Sequence, residues 1–544
     1  MSNFINRSQS RSMVVSRHGI VATEHPLASQ AGATVLAQGG HAVDAAIAAN
    51  AVMGLVCPMM CGIGGDLFAI VWERHGRPQG LNASGWSPAG LTPQFLKSRN
   101  LDSMPQSGVH SITVPGAVSG WALLRERFGR KSFSDLLAPS IKMGDEGFPV
   151  AEVTAAEWSN AEAFLRSDPG AAKVFLPAGR PVRLGEIFVN RELASSYRHI
   201  ADRGRDGFYT GDVARRMAGY VQQRGGTMNG ADLAEFNAEW VTPISTMYRG
   251  WEVFEIPPNG AGIAALMMLN ILEQFPMGEY GHSSVAALHT MIEAKKLAYA
   301  DMQRYVADPH FAAVPVKALL AKDFARERAA LIAPAASVSV SPAEVPVHAG
   351  DTVYLSVVDR DGNMVSFIQS NFASFGSGIV PDGTGFALQN RGALFTLDPS
   401  HPNVLAPRKR PLHTIIPAFM QNDESRIAFG IMGGWNQSQA HAQFVSNVVD
   451  HQMNIQAALE APRFTKLTFE GVDVMVERRI PDNVRFGLAA KGHQVEVAGD
   501  FTTAVGGGQA VMRNLSTEVN YGASDPRKDG AAVPEPVHSL EPKN

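Results

Sequence analysis

Thr352 heads an apolar run, Thr352-Val353-Tyr354-Leu355-Ser356-Val357-Val358, with Gly350-Asp351 before it. The turn Arg360-Asp361-Gly362-Asn363 and a second apolar run follow. A threonine hydroxyl is a poor nucleophile unless a base lies close, and the nearest base is its own α-amine. A free α-amine has a pKa of about 7.7–8.0, suited to taking and returning a proton near neutrality. That amine exists only if the Asp351–Thr352 bond is cut. The stretch therefore reads either as a masked nucleophile behind a cleavage site at Asp351-Thr352, or as an ordinary β-branched strand residue.

Other chemistries have less behind them. Sixteen histidines include no His-Glu-x-x-His run, and His289 with Glu293, one helical turn apart, has no third ligand in the sequence. No metal is expected. Gly62-Ile63-Gly64-Gly65-Asp66-Leu67 lacks the last glycine of a dinucleotide fingerprint and follows a helix rather than a strand, so no cofactor is expected either. Cys57 and Cys61 flank the helix breaker Pro58 and are expected to be buried free thiols, as in a reducing compartment. A formal charge of −4 over 544 residues leaves no basic footprint for nucleic acid. No apolar run is long enough for a bilayer, and Met1 to Ser8 lacks the apolar core of a secretory signal. The expectation is a cytoplasmic protein with a small-molecule substrate and neither nucleic acid nor membrane as partner.

The elements that must position Thr352 change character along the chain. Helical spacing runs through 27–36, ending at Gly39-Gly40, and through the Ala-rich 42–55, closed by Pro58. It recurs at 117–128, 133–143, 190–203, 211–224 and 284–304, with a buried strand at 68–72. Residues 333–348, poor in large apolar side chains, read as a mobile linker before the cleavage point, from which a nicked end can move away. Strands then dominate, at 352–358, 364–370, 385–390, 426–432, 472–477, 495–498 and 509–512, with one helix near 438–450. With 45% apolar residues the chain can bury a large core, and helices around stacked strands suggest an α/β, four-layer αββα sandwich.

The run Thr352 to Gly378 resembles the signature of the γ-glutamyltranspeptidase family of self-cleaving N-terminal-nucleophile hydrolases. Collinear similarity extends from Gly39-Gly40-His41-Ala42-Val43-Asp44 and Gly62-Ile63-Gly64-Gly65-Asp66, through Pro257-Pro258-Asn259-Gly260 and Lys409-Arg410-Pro411-Leu412, to Gly522-Ala523-Ser524-Asp525-Pro526-Arg527. The resemblance implies the αββα fold more firmly than the pattern does. It also implies autocleavage into a helix-rich large chain, 1–351, and a strand-rich small chain, 352–544, held as a heterodimer, with a dimer of heterodimers as a further option. Thr352 would attack first the Asp351 carbonyl and then a substrate amide, forming an acyl-enzyme. Ser370 falls where the family keeps a hydroxyl that orients the nucleophile; otherwise it is a strand-end turn residue. Gly433 and Gly434 match the glycine pair that donates backbone N–H groups to the oxyanion, though a plain tight turn reads equally well.

The family pattern breaks at the head-group pocket. Ser84 stands where a carboxylate-binding Arg is expected, Phe372 replaces an Asn, Leu394 replaces the ammonium-binding Asp, and His413-Thr414 replaces a Ser-Ser pair. The span Phe395 to Arg408 is also short where transpeptidases carry a lid. An unpaired buried charge is costly, so this is not a glutamyl pocket. Arg391, His413, Thr414 and Asn390 are the candidate substrate-binding residues. Arg391 offers a bidentate carboxylate partner with no part in the attack on Asp351, or else a structural ion pair. The combination is similar to the branch that includes oxamate amidohydrolase, which implies a Thr-dependent amidohydrolase acting on a small anionic amide and releasing ammonia. The rivals are a glutathione hydrolase or γ-glutamyltransferase, and a cephalosporin acylase-like amidase with Phe372 and Trp435 lining an apolar pocket.

Overall fold

Two seven-stranded antiparallel sheets organise residues 9–340 and 351–537, the part of the chain that the computed structural model describes. The first sheet runs, edge to edge, Ala531–Pro534, Ile20–Thr23, Asp351–Val358, Met364–Phe372, Asp66–Trp72, Gln79–Ala83, Glu239–Val241. The second runs Val14–Ser16, Asn520–Ser524, Gly508–Asn514, Ser425–Ile431, Ala418–Gln421, Trp251–Glu255, Ile244–Tyr248. Both sheets combine strands from before and after residue 351.

The period of two along Asp351–Val358 sorts its side chains between two cores. Val353, Leu355 and Val357 pack with the helices Pro26–Ala37 and Ala42–Val56. Tyr354 and Val358 turn toward Phe419, Ile427 and Phe429 of the second sheet. That second core also takes in the helices Gly262–Leu272, Val285–Tyr305 and Gln437–Val449. The sheets approach closely where Gly430 meets the Tyr354 ring, because a Cβ there would lie 2.4 Å from it.

Helix Ala42–Val56 is buried at every position and starts with a capping box between His41 and Asp44. The helix Gly262–Leu272, also buried throughout, carries no polar stripe, and so its periodicity is silent.

Two expectations are corrected. Residues 385–390 form no strand: Leu388 N–H bonds Ile379 O, Gln389 N–H bonds Gly64 O and Asn390 N–H bonds Asn371 O, while Gly385 has φ +76°. The apolar run is buried, but as an irregular loop wedged against the Gly62–Asp66 turn. Nor is the segment 333–338 a loose tether. His289 Nε2 bonds Ala333 O at 2.8 Å, Lys296 Nζ bonds Ser337 O at 2.9 Å, Lys491 Nζ bonds Pro334 O at 2.7 Å and Gly471 N–H bonds Val338 O at 3.0 Å. The rest of the predicted linker, 341–348, lies outside the described residues.

Candidate active site

Asp351 pairs with Phe372 and Val353 with Gln369, so Ser370 and Asn371 together face Thr352. A bulge of this kind bends its strand and re-aims one side chain. Here it is followed by Phe372 at φ +79°, a conformation an aromatic residue adopts only when its surroundings impose it. The outcome is a contact between two hydroxyls: Thr352 Oγ1, buried, donates to Ser370 Oγ at 3.1 Å. Ser370 Oγ also accepts from Phe372 N–H and from Arg391 Nη2, both at 2.8 Å. Arg391 Nη1 donates to Thr414 Oγ1 at 2.6 Å, and the guanidinium lies 4.5 Å from the centre of the Phe372 ring. Its Nε is buried without an acceptor among the described residues. Arg391, a candidate substrate-binding residue, is thus also joined to Ser370, the partner of the Thr352 hydroxyl.

Asp66, which the sequence offered only as part of a glycine turn, pairs directly across the sheet with Ser370. Its carboxylate accepts from His413 Nε2 at 2.9 Å, Gln389 Nε2 at 2.7 Å and Gly85 N–H at 2.7 Å. Ile415 N–H approaches His413 Nδ1 at 3.4 Å, so Nε2 carries the proton and the imidazole is neutral. Burial raises Asp66 to about 7, against the pull of Arg391, and the same burial lowers Arg391 to about 9 and His413 well below its ordinary value. Thr352, Ser370 and Asp66 form a polar row over three adjacent strands, backed by one buried cation. The adjoining Gly65 is obligatory: a Cβ there would lie 2.3 Å from Ser370 O.

From the second sheet, Ser425–Ile431 delivers Gly433 and Gly434, at φ +129° and +56°. Neither N–H is used in the hydrogen bonding of the described residues. His441 Nε2 accepts the Ile431 N–H at 3.1 Å and Nδ1 donates to Glu255 Oε1 at 2.7 Å, anchoring the strand end that leads into the pair. Gln437 opens the following helix with Nε2 3.5 Å from Thr352 Oγ1, a neighbour that the sequence did not single out.

A cavity of about 520 Å³ opens beside Phe372, lined also by Asn390, Gln106, Phe164, Ala161 and Thr503. Asn390 is fixed there by bonds from Ala373 N–H (3.0 Å) and to Gln106 O (2.7 Å). Trp435 does not share this lining; it is buried against Phe469 in the second core. Ser84 is locked by Asn82 and Asn259, with Oγ donating to Asn82 Oδ1 at 2.7 Å and accepting from Asn259 Nδ2 at 3.1 Å.

Away from this site, His289 and Glu293 do acquire a third neighbour, His493, with ligand atoms all within 4.8 Å. Chain separation hid it. Both Glu293 oxygens are taken, by Lys296 Nζ at 2.7 Å and Ser337 N–H at 3.2 Å, and His493 Nε2 bonds His289 Nδ1 at 2.9 Å. The cluster is the lock on segment 333–338. Cys57 and Cys61 are buried free thiols, and no helix among the described residues is long and apolar enough to cross a membrane.

The sequence matches the Gamma-glutamyltranspeptidase family over residues 28–535. It is 37% identical to the glutathione hydrolase-like YwrD proenzyme of Bacillus subtilis, over 96% of this chain and 99% of that one. To the oxamate amidohydrolase proenzyme of Klebsiella pneumoniae it is 33% identical, over 95% and 99%. The crystal structure of a cephalosporin acylase from Bacillus halodurans superposes with a TM-score of 0.92 at 40% identity, covering 99% of each chain. Carrying that match over nearly its whole length, the chain belongs to the γ-glutamyltranspeptidase family.

Proposed function

We propose that this protein is a self-processing amidohydrolase whose nucleophile is Thr352. The observation that carries the reading is the hydroxyl pair Thr352–Ser370, 3.1 Å apart at the head of a bulged strand and backed by Arg391. In the precursor, Thr352 Oγ attacks the Asp351 carbonyl; the ester then hydrolyses to leave chains 1–351 and 352–544. The freed α-amine next serves as base while Oγ attacks a substrate amide, and water releases the acyl group. Ser370, held by Arg391 and the Phe372 amide, orients Oγ. Gly433 and Gly434 turn unused N–H groups to the developing oxyanion, where such donors are worth about 3–4 kcal/mol. In the same reading the layers stack as αββα, and the two unpaired thiols suit a cytoplasmic setting.

For substrate, we favour the half-amide of a small dicarboxylic acid, oxamate being the shortest. Arg391 is the cation beside the nucleophile and its Nε has no acceptor among the described residues, while Leu394 offers nothing to an ammonium and Ser84 is already engaged. The cavity beside Phe372 favours a second reading, an amide with a bulkier, partly apolar acyl group, because it is far larger than oxamate.

Mass spectrometry of purified protein tests the processing: a chain beginning at Thr352 is expected, and Thr352→Ala should stay one inactive polypeptide of 58.3 kDa. An intact wild-type chain with full activity would refute the mechanism. Turnover of oxamate, longer half-amides, bulky acyl amides and a γ-glutamyl anilide then ranks the substrates; glutamyl turnover well above all others would overturn the pocket reading.

A further inference from the structure

Glu24 is a buried carboxyl for which neither the family resemblance nor the proposed mechanism has a use. It follows the strand Ile20–Thr23, the neighbour of the nucleophile strand. Its Oε1 accepts the Tyr354 N–H at 2.9 Å, two residues beyond Thr352. Its Oε2 is buried with no partner among the described residues, an expensive state for a carboxyl unless something is to occupy it. Amides two residues apart leave a strand by the same edge. The extra residue of the bulge belongs to the partner strand Met364–Phe372, so the alternation along Asp351–Val358 carries the Thr352 nitrogen to the edge that Glu24 faces.

In the precursor that nitrogen has one N–H, fixed in direction by the peptide plane. Cleavage turns it into an amine with up to three N–H bonds and free rotation about N–Cα. We infer that Glu24 is the positioning partner of this new α-amine, its spare Oε2 accepting an N–H and exchanging one proton with the nitrogen. The exchange balances simply: ammonium and carboxylate become amine and carboxylic acid, with one proton moved and no electrons lost or gained. In the neutral form the nitrogen lone pair is available to the Thr352 hydroxyl.

The surroundings suit such an exchange. Burial raises Glu24 to about 8, close to the range of an α-amine, so neither partner holds the proton outright. Lys528 lowers Glu24 while Glu157 and Asp525 raise it. Lys528 is in turn bound to Glu157 at 2.6 Å. His25, the next residue, accepts the Leu27 N–H on Nδ1 and is lowered to about 4, so it stays neutral here. The inference rests on self-cleavage at Thr352.

The test is Glu24→Gln, which keeps the bond to Tyr354 and removes the titration. Mass spectrometry first establishes a chain starting at Thr352. The α-amine is then labelled by reductive methylation with ¹³C-formaldehyde and titrated by NMR; uncleaved Thr352→Ala identifies its resonance by absence. The amine of E24Q should titrate about one pH unit lower than wild type, having lost a carboxylate that stabilises the ammonium. The acid limb of kcat/KM should move with it. Equal amine pKa values in two cleaved proteins would overturn the inference and leave the processing intact; an uncleaved wild type would overturn both. Should E24Q fail to cleave, the wild-type titration decides. A coupled two-step curve supports the pairing, and a single step at the ordinary α-amine value refutes it.

Discussion

Arg391 shows how one residue can serve two demands. Its charge leads the influences that oppose the burial of Asp66, ahead of the bonds from Gln389, Gly85 and Gly116, and its two terminal nitrogens hold the hydroxyls of Ser370 and Thr414. Sequence comparison picked it out as the cation left when the glutamyl-binding charges disappear. Its bond to Ser370 was not legible, because it depends on the bulge at 370–371 and on a 21-residue excursion of the chain. Arg391→Leu should therefore do more than weaken an anionic substrate. Losing a charge-assisted bond of about 1.5 kcal/mol or more raises KM about tenfold, and kcat should fall too as Ser370 loses a donor. Autocleavage should also slow, seen as precursor persisting in a time course after synthesis. A variant changed in KM alone, with cleavage at the wild-type rate, would confine Arg391 to substrate binding.

At the scale of elements, the hairpin of Asp351–Val358 and Met364–Phe372 and the glycine turn after Ser425–Ile431 are supplied by different sheets. Long helices were legible to within a few residues, 117–128 and 191–203 among them, since their apolar stripe is local information. The short strands Ile20–Thr23 and Ala531–Pro534 were not, because four residues carry too little pattern and their pairing is set by distant chain. The same limit concealed Asp66 and Gln437, whose chemistry appears only when strands are laid side by side. Two glycines test the fit. Gly434→Ala, at φ +56°, should lower kcat about 10²-fold with little change in melting temperature, by turning the N–H donors from the oxyanion; unchanged kcat would make the pair a plain turn. Gly430→Ala should do the reverse kind of damage. Its Cβ meets the Tyr354 ring, so the sheets must part, at a cost of about 1–3 kcal/mol in thermal or urea unfolding. Because Tyr354 is two residues from Thr352, cleavage should slow as well; a variant as stable and as readily cleaved as wild type would show that the ring can move aside.

Over the whole molecule, the segments before and after the proposed cleavage point are interlocked, since Asp351–Val358 lies between Ile20–Thr23 and Met364–Phe372 and the 333–338 lock rests on Lys491 and Gly471. What governs integrity is then the titration of groups buried throughout. Burial lowers His25, His282 and His493 to about 4 and His441 to about 3. A histidine whose folded pKa lies below its unfolded value, near 6.5, contributes stability that is complete above that value and is lost as pH falls through the folded one. Glu24 and Asp66 act with the opposite sign. Raised to about 8 and about 7, they contribute fully below the ordinary carboxyl range, and that contribution is lost as pH rises through 7 and 8. Among the described residues ten histidines are lowered and five carboxyls raised, Glu255, Asp301 and Asp359 joining Glu24 and Asp66, so the histidines prevail on the acid side and the melting temperature should fall steeply from pH 6.5 to 4 and gently from pH 6.5 to 8.5. Glu24→Gln should flatten the alkaline limb, since no carboxyl at that position is left to ionise, while the acid limb keeps its histidine-driven fall. A wild-type melting temperature that climbs on acidification below pH 6 would show that these imidazoles are not held neutral inside the fold.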